Sequence, residues 1–183
     1  DRLHVEHFEN TARFLLEKKA PMTGLGLQAH IGSTPNAPVR VLAVLDRYAK
    51  FGLPMRVTEF DINSDDEELQ ADYTRDFLTL MFSHPGVVGV QLWGFWERAH
   101  WRPRAAMYRA DWSEKPNAQA YRALVLQKWR TNLNGATVAD GRFAGRGFHG
   151  DYAIRIESDG RRIERTFSLR AGDTAPVIEF KLP

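Results

Sequence analysis

The chain contains no cysteine, which excludes disulfides and thiolate metal sites. It has no surplus of either charge: 25 basic residues against 23 acidic ones leave a formal net charge of +2. A pI of about 9.0 reflects that near-balance and not a polycationic surface, so nucleic acid is not an expected partner. No run approaches the roughly 18 apolar residues of a membrane span, and Asp1-Arg2-Leu3-His4-Val5-Glu6 has no signal-peptide apolar segment. A membrane partner is not expected either. A glycine-rich phosphate loop is missing as well: Gly24-Leu25-Gly26 lacks the third glycine and opens no helix. No nucleotide, and no other cofactor, is therefore expected. His4 and His7 stand three residues apart, but with no third ligand nearby they read as a solvated helix face, and no metal site is expected. What is present is a globular composition, 43% hydrophobic and 11% aromatic over 183 residues, sufficient for a real core.

Apolar spacing predicts a helix over 5–19 (Val5, Phe8, Ala12, Leu15, Leu16), ended by Pro21. A short buried strand follows over 23–31, then a helix over 38–51 closing at Gly52. A strand over 53–62 comes next. A third helix carries Leu69, Tyr73, Phe77, Leu80 and Met81, with Asp65, Asp66, Glu67 and Glu68 at the end where a helix favours negative charge. A strand over 87–93, a long loop and a helix over 117–129 complete this part. Alternating helices and short apolar strands are the pattern of a parallel sheet built from βα units, in a barrel or a doubly wound sheet. From about Thr131 the texture changes to Gly-punctuated alternating segments. There 152–156 and 166–169 flank Asp159-Gly160 as a hairpin, and 177–180 is expected as a last strand. The expected division is an α/β part over 1–130 and a small all-β appendage over 131–183.

The informative stretch is Leu53-Pro54-Met55-Arg56-Val57-Thr58-Glu59-Phe60-Asp61-Ile62. Strict alternation would put Val57, Glu59 and Asp61 on one face and Thr58, Phe60 and Ile62 on the other. Two acids near the end of an apolar strand are costly to bury without partners. They mark either a strand fraying into an acidic turn or a pair of carboxylates held for chemistry. Neighbouring strands bear on the choice, because Gln28 and His30 end the first and Gln91 and Trp93 end the third. In α/β barrels and open sheets, sites gather at the carboxyl ends of strands.

In order, Gly24-Leu25-Gly26-Leu27-Gln28-Ala29-His30, then Val57-Thr58-Glu59-Phe60-Asp61-Ile62, then Trp93-Gly94 with Trp101 eight residues on, resemble the last three strands of glycoside hydrolase family 10. That family consists mainly of endo-β-1,4-xylanases on a (β/α)8 barrel. The resemblance covers about 5–129, the last three or four βα units of the barrel. Asp140-Gly141-Arg142-Phe143 and Arg146-Gly147-Phe148-His149-Gly150-Asp151-Tyr152 are similar to a β extension that follows the barrel in some members. The resemblance implies retaining hydrolysis of internal β-1,4 bonds in xylan or a related β-1,4-linked polysaccharide, in a secreted or periplasmic setting. It implies that Glu59 is the nucleophile and that His30 and Asp61 hydrogen-bond around it, with Gln28 in the same shell. It further implies that Trp93 and Trp101 wall the sugar subsites and that Arg102 belongs with them. A carboxylate must be ionised to attack, so donors around Glu59 would favour the reactive form.

Two departures stand out. Phe95-Trp96-Glu97 replaces the family's usual residues after Trp-Gly, so Trp96 and His100 read equally as loop packing or sugar contact. Retaining glycosidases also need a second carboxyl ~5–5.5 Å from the nucleophile; in this family it is the glutamate of an Asn-Glu dipeptide on the fourth strand, and no Asn-Glu occurs here. Glu97 is a substitute acid that no spacing supports. The expectation is therefore the nucleophile half of a two-carboxylate site, with barrel closure requiring an N-terminal half or self-association. The alternatives are a non-catalytic carbohydrate-binding or remnant module of the same fold, and a related hydrolase of another β-linked glycan.

Overall fold

The computed structural model describes residues 2–173 and 176–181. Its contacts divide the chain into two compact units, Asp1–Leu126 and Gln127–Pro183.

In the first unit, helix α1 (Arg2–Glu17) precedes strands β1 (Leu25–Leu27) and β2 (His30–Ile31). Helix α2 (Pro38–Ala49) leads to β3 (Met55–Ile62), α3 (Glu67–Ser83), β4 (Val87–Leu92) and α4 (Pro116–Tyr121). All pairings in this sheet are parallel, with β3 at the centre, β1 and β2 on one side of it and β4 on the other. Pro38 starts α2 where its missing N–H costs nothing. Gly52, at φ +68°, turns the chain out toward β3. Asp66 caps α3 by accepting the Leu69 N–H at 3.0 Å, with Glu67 and Glu68 in the first turn.

The core gathers around β3. Met55, Val57, Phe60 and Ile62 are buried against Leu45 and Tyr48 of α2 and Tyr73, Phe77 and Met81 of α3. Phe60 stacks on Phe77 with ring centroids 4.4 Å apart. Each such side chain contributes about 1.5–3 kcal/mol by leaving water.

Two local departures from the sequence expectation matter for the site. The strand expected over 23–31 is broken in two, because Ala29 adopts φ +66°, which no strand residue shares. Strand β3 also does not alternate strictly. Leu27 pairs with Val57 and His30 with Asp61, three residues against four, and β4 likewise shifts register between Val57 and Phe60. One extra residue on β3 at Thr58–Glu59 is a bulge seen from both neighbours. Val57 therefore joins Phe60 and Ile62 in the core and does not share the face of Glu59 and Asp61.

Beyond β3 the chain is held by Gln70, which is fully buried. The two hydrogens of its amide nitrogen serve three carbonyls, one of them shared: Ile62 at 2.8 Å, Ser64 at 3.1 Å and Arg104 at 2.6 Å. One α3 side chain thus joins the end of β3 to the loop that follows β4. Gln70→Leu keeps the volume but takes this donor from the Ile62 and Ser64 carbonyls, while Arg104 still accepts from Lys115 Nζ at 2.7 Å, so urea unfolding of the full chain should show a loss of about 2–4 kcal/mol.

The expected helix over 117–129 is α4 followed by a π-helical run, Arg122–Lys128. In the second unit, β5 (Gly150–Ser158) and β6 (Arg161–Leu169) form an antiparallel hairpin, with Tyr152 facing Phe167 and Ile156 facing Ile163. Asp159 and Gly160 both have positive φ, as the tight turn demands. Residues 177–180 form no strand. Among the described residues, the expected all-β appendage amounts to this one hairpin and irregular chain. No helix among them is long and apolar enough to cross a membrane.

Candidate active site

The carboxyl ends of β2, β3 and β4 carry the polar residues. Backbone bonds hold them in register: Glu59 N–H donates to the Gln28 carbonyl at 3.1 Å, and Trp93 N–H donates to the Phe60 carbonyl at 3.0 Å. From Glu59 onward alternation puts Glu59 and Asp61 opposite Phe60 and Ile62, toward His30, while the bulge takes Val57 off that face.

His30 lies between the two acids. Its Nε2 is 3.0 Å from Glu59 Oε2 and its Nδ1 is 3.0 Å from Asp61 Oδ2. The first is an aligned hydrogen bond; the second is a close approach off the N–H line, leaving Nδ1 without an aligned partner. A singly protonated ring donates to one of the acids, a doubly protonated ring to both. Asp61 is the deep member, its side chain 2% exposed against 22% for Glu59. Its Oδ2 accepts the Trp101 indole N–H at 2.8 Å. The buried acid fixes the imidazole, and the imidazole holds the acid that reaches solvent.

Two indoles stand over this row. Trp101 packs edge-on against His30 with centroids 4.9 Å apart, and Trp93 does so at 6.1 Å. Both remain open, 53% and 41% exposed. The Arg102 guanidinium lies 4.2 Å over the Trp101 ring, a cation–π contact that stiffens the wall. Gln28 is exposed, and what it supplies here is its carbonyl. The structure thus brings His30, Glu59, Asp61, Trp93, Trp101 and Arg102 together, with Gln28 at the margin.

The loop residues left open by the sequence are placed as follows. Trp96 stacks on Trp112 at 4.8 Å, nearly parallel, so it serves loop packing. Glu97 accepts the Ala110 N–H at 2.6 Å, which ties it into the loop. His100 is buried; its Nδ1 accepts the Arg102 N–H at 3.0 Å and its Nε2 lies 3.9 Å from Asp61 Oδ2. Burial pushes the His100 pKa down, opposed by the charge of Asp61 and by backbone groups of Trp93 and Arg102 and assisted by the nearby His30. No group of three or more His, Cys, Asp or Glu among the described residues could hold a metal ion.

The model of glycosyl hydrolase family 10 matches residues 4–125, a span that contains the whole cluster. This chain belongs to glycosyl hydrolase family 10. Endo-1,4-beta-xylanase 1 of Arabidopsis thaliana is 34% identical over 169 residues, 92% of this chain and 18% of its own length. The anti-sigma-I factor RsgI6 of Acetivibrio thermocellus is 32% identical over 162 residues, 87% of this chain and 21% of its own length. Among solved structures, xylanase 10B of Thermotoga petrophila in complex with xylobiose superposes with a TM-score of 0.59 at 27% identity, covering 66% of this chain and 41% of that one. This family 10 chain spans about a fifth of the length of these curated relatives. Its parallel sheet and helices are part of a (β/α)8 barrel.

Gly94, noted in the sequence only within Trp93-Gly94, and His100, left open there between loop packing and sugar contact, prove to be neighbours. Gly94 has φ +78°, and a Cβ there would stand 2.9 Å from the His100 ring. His100 itself was visible only as a histidine next to a tryptophan, and nothing in that spacing says that it turns inward.

Proposed function

We propose that the chain carries the nucleophile half of a retaining endo-β-1,4-xylanase site. In this reading Glu59 attacks the anomeric carbon of a xylosyl unit, His30 and Asp61 hold it, and Trp93 and Trp101 bracket the sugar rings. Gln28 and Arg102 border the same cleft. Residues 1–130 form the partial hydrolase domain and 131–183 the extension, in a secreted or periplasmic protein. The observation that carries the proposal is the Glu59–His30–Asp61 row lying beneath two open indoles. Flat apolar rings suit the C–H faces of sugars. A retaining mechanism makes a covalent glycosyl-enzyme bond to this carboxylate, which water then cleaves with help from a second carboxyl. In this reading Glu97, held in the loop by the Ala110 N–H, is not that group. The acid/base glutamate therefore belongs to another part of the barrel, either an N-terminal half or a second copy.

Xylohexaose should perturb the intrinsic tryptophan fluorescence of the full chain, and Trp93→Ala should weaken that binding roughly tenfold, the scale of one lost aromatic–sugar contact. Equal binding by the variant would remove Trp93 from the cleft. The second reading is a carbohydrate-binding module of the same fold without turnover. The observation that favours considering it is that Glu97 is tied to the Ala110 backbone. Covalent trapping of Glu59 separates the two, since a binding module has no reactive carboxylate.

A further inference from the structure

We propose that His100 is a positioning residue for this site: in its Nε2–H form it faces Asp61 and steadies the carboxylate that holds His30 against Glu59. The tautomer follows from geometry. His100 Nδ1 accepts the Arg102 N–H at 3.0 Å, so that nitrogen carries no proton and the neutral ring bears its proton on Nε2. Nε2 is buried and has no aligned partner; Asp61 Oδ2 lies 3.9 Å away, and a backbone group of Trp93 also acts on the ring. Asp61 is short of donors overall: Oδ2, the oxygen 3.9 Å from His100, already accepts the Trp101 N–H, and the oxygen without a partner is Oδ1. The Asp61 side chain is 2% exposed, and His30 approaches it off-line. A buried carboxylate with so few donors is held tightly by any further one. The burial that keeps His100 from taking up a second proton also preserves the Nε2–H form.

The place for this ring is built. Gly94 follows Trp93, and any larger residue there would strike His100 Cδ2 at 2.9 Å. The imidazole therefore sits inside the loop that carries both indoles, bonded to the backbone beside Trp101 and facing the acid that Trp101 also contacts. Loop and nucleophile row are joined at one ring. The catalytic meaning of the assignment rests on the proposed nucleophile; the contact itself does not.

Imidazole and indole nitrogen NMR of the full-length chain tests it. Wild type should show His100 neutral with its proton on Nε2. Two variants separate the halves of the ring: His100→Asn keeps an acceptor near the Nδ1 position, and His100→Gln keeps a donor near the Nε2 position. His30 ring signals and the Trp101 indole signal should shift in His100→Asn and stay near wild type in His100→Gln. Labelling of Glu59 by an activated 2-fluoroxylobioside should slow roughly tenfold in His100→Asn only, as misplacement of a nucleophile would dictate. A purely structural role predicts the reverse, with Asn preserving the loop bond and Gln losing it. A proton on Nδ1 in wild type, or His30 and Trp101 signals unmoved in His100→Asn, overturns the assignment. Failure of wild type to take the label would count against the nucleophile proposal, while the nitrogen signals would still decide for or against His100.

Discussion

Glu59→Gln should lower the first-turnover release of dinitrophenolate from 2,4-dinitrophenyl β-xylobioside by about 10⁴-fold or more, the scale seen when an enzyme loses its nucleophile. The substrate is chosen because its leaving group departs without a proton, so the nucleophile is tested apart from any acid. Glutamine keeps the length and nearly the shape of Glu59, and its amide oxygen can still meet His30 Nε2, now 3.0 Å from Glu59 Oε2. It cannot attack carbon. Because the Glu59 side chain is partly exposed and outside the apolar core, the substitution should leave unfolding unchanged within about 0.5 kcal/mol. Loss of activity with retained stability is the expected pair of results, measured by stopped-flow release of dinitrophenolate and by urea unfolding. A variant as active as wild type would move the nucleophile elsewhere.

The second large effect concerns the leaving group. General acid catalysis contributes about 10²–10⁴-fold, and the proposed site holds no second exposed acid beside Glu59 at the strand ends. Asp61 is buried beneath His30 and Trp101, and Glu97 is bonded to the Ala110 backbone. The chain should therefore discriminate steeply among aryl β-xylobiosides in the first turnover, with rates falling as the leaving group becomes more basic. On xylan, whose leaving group is a sugar hydroxyl, it should release reducing ends about 10²–10⁴-fold more slowly than an enzyme with the acid in reach. Kinetics over a series of substituted phenols measures this as the slope against leaving-group basicity. A flat slope, removed by Glu97→Gln, would place the missing acid at Glu97 after all.

Much of the architecture was legible because it depends on local pattern. The stripe Tyr73, Phe77, Met81 on α3 is buried as its spacing implies, and Asp159-Gly160 makes the turn that its positive φ values require. What was not legible depends on partners. The bulge in β3 is defined by registers with two other strands, so strict alternation misplaced Val57. Ala29 carries no sign of its positive φ, because alanine is ordinary in any strand. Residues 177–180 have strand-like composition but no ladder, and composition says nothing of whether an edge is available to pair. In the site, Glu59, Asp61 and His30 were marked as polar residues at strand ends. The inward turn of His100 was hidden because it follows from Gly94 and from an acid 39 residues away in the chain.

The central claim is that Glu59 is a carboxylate aimed at an anomeric carbon. Incubation of the full chain with 2,4-dinitrophenyl 2-deoxy-2-fluoro-β-xylobioside, followed by peptide mass spectrometry, measures it directly. One fluoroxylobiosyl group attached to the peptide bearing Glu59, and absent from Glu59→Gln, is the predicted result. Attachment to another residue, or no attachment while xylo-oligosaccharide still binds, would contradict it.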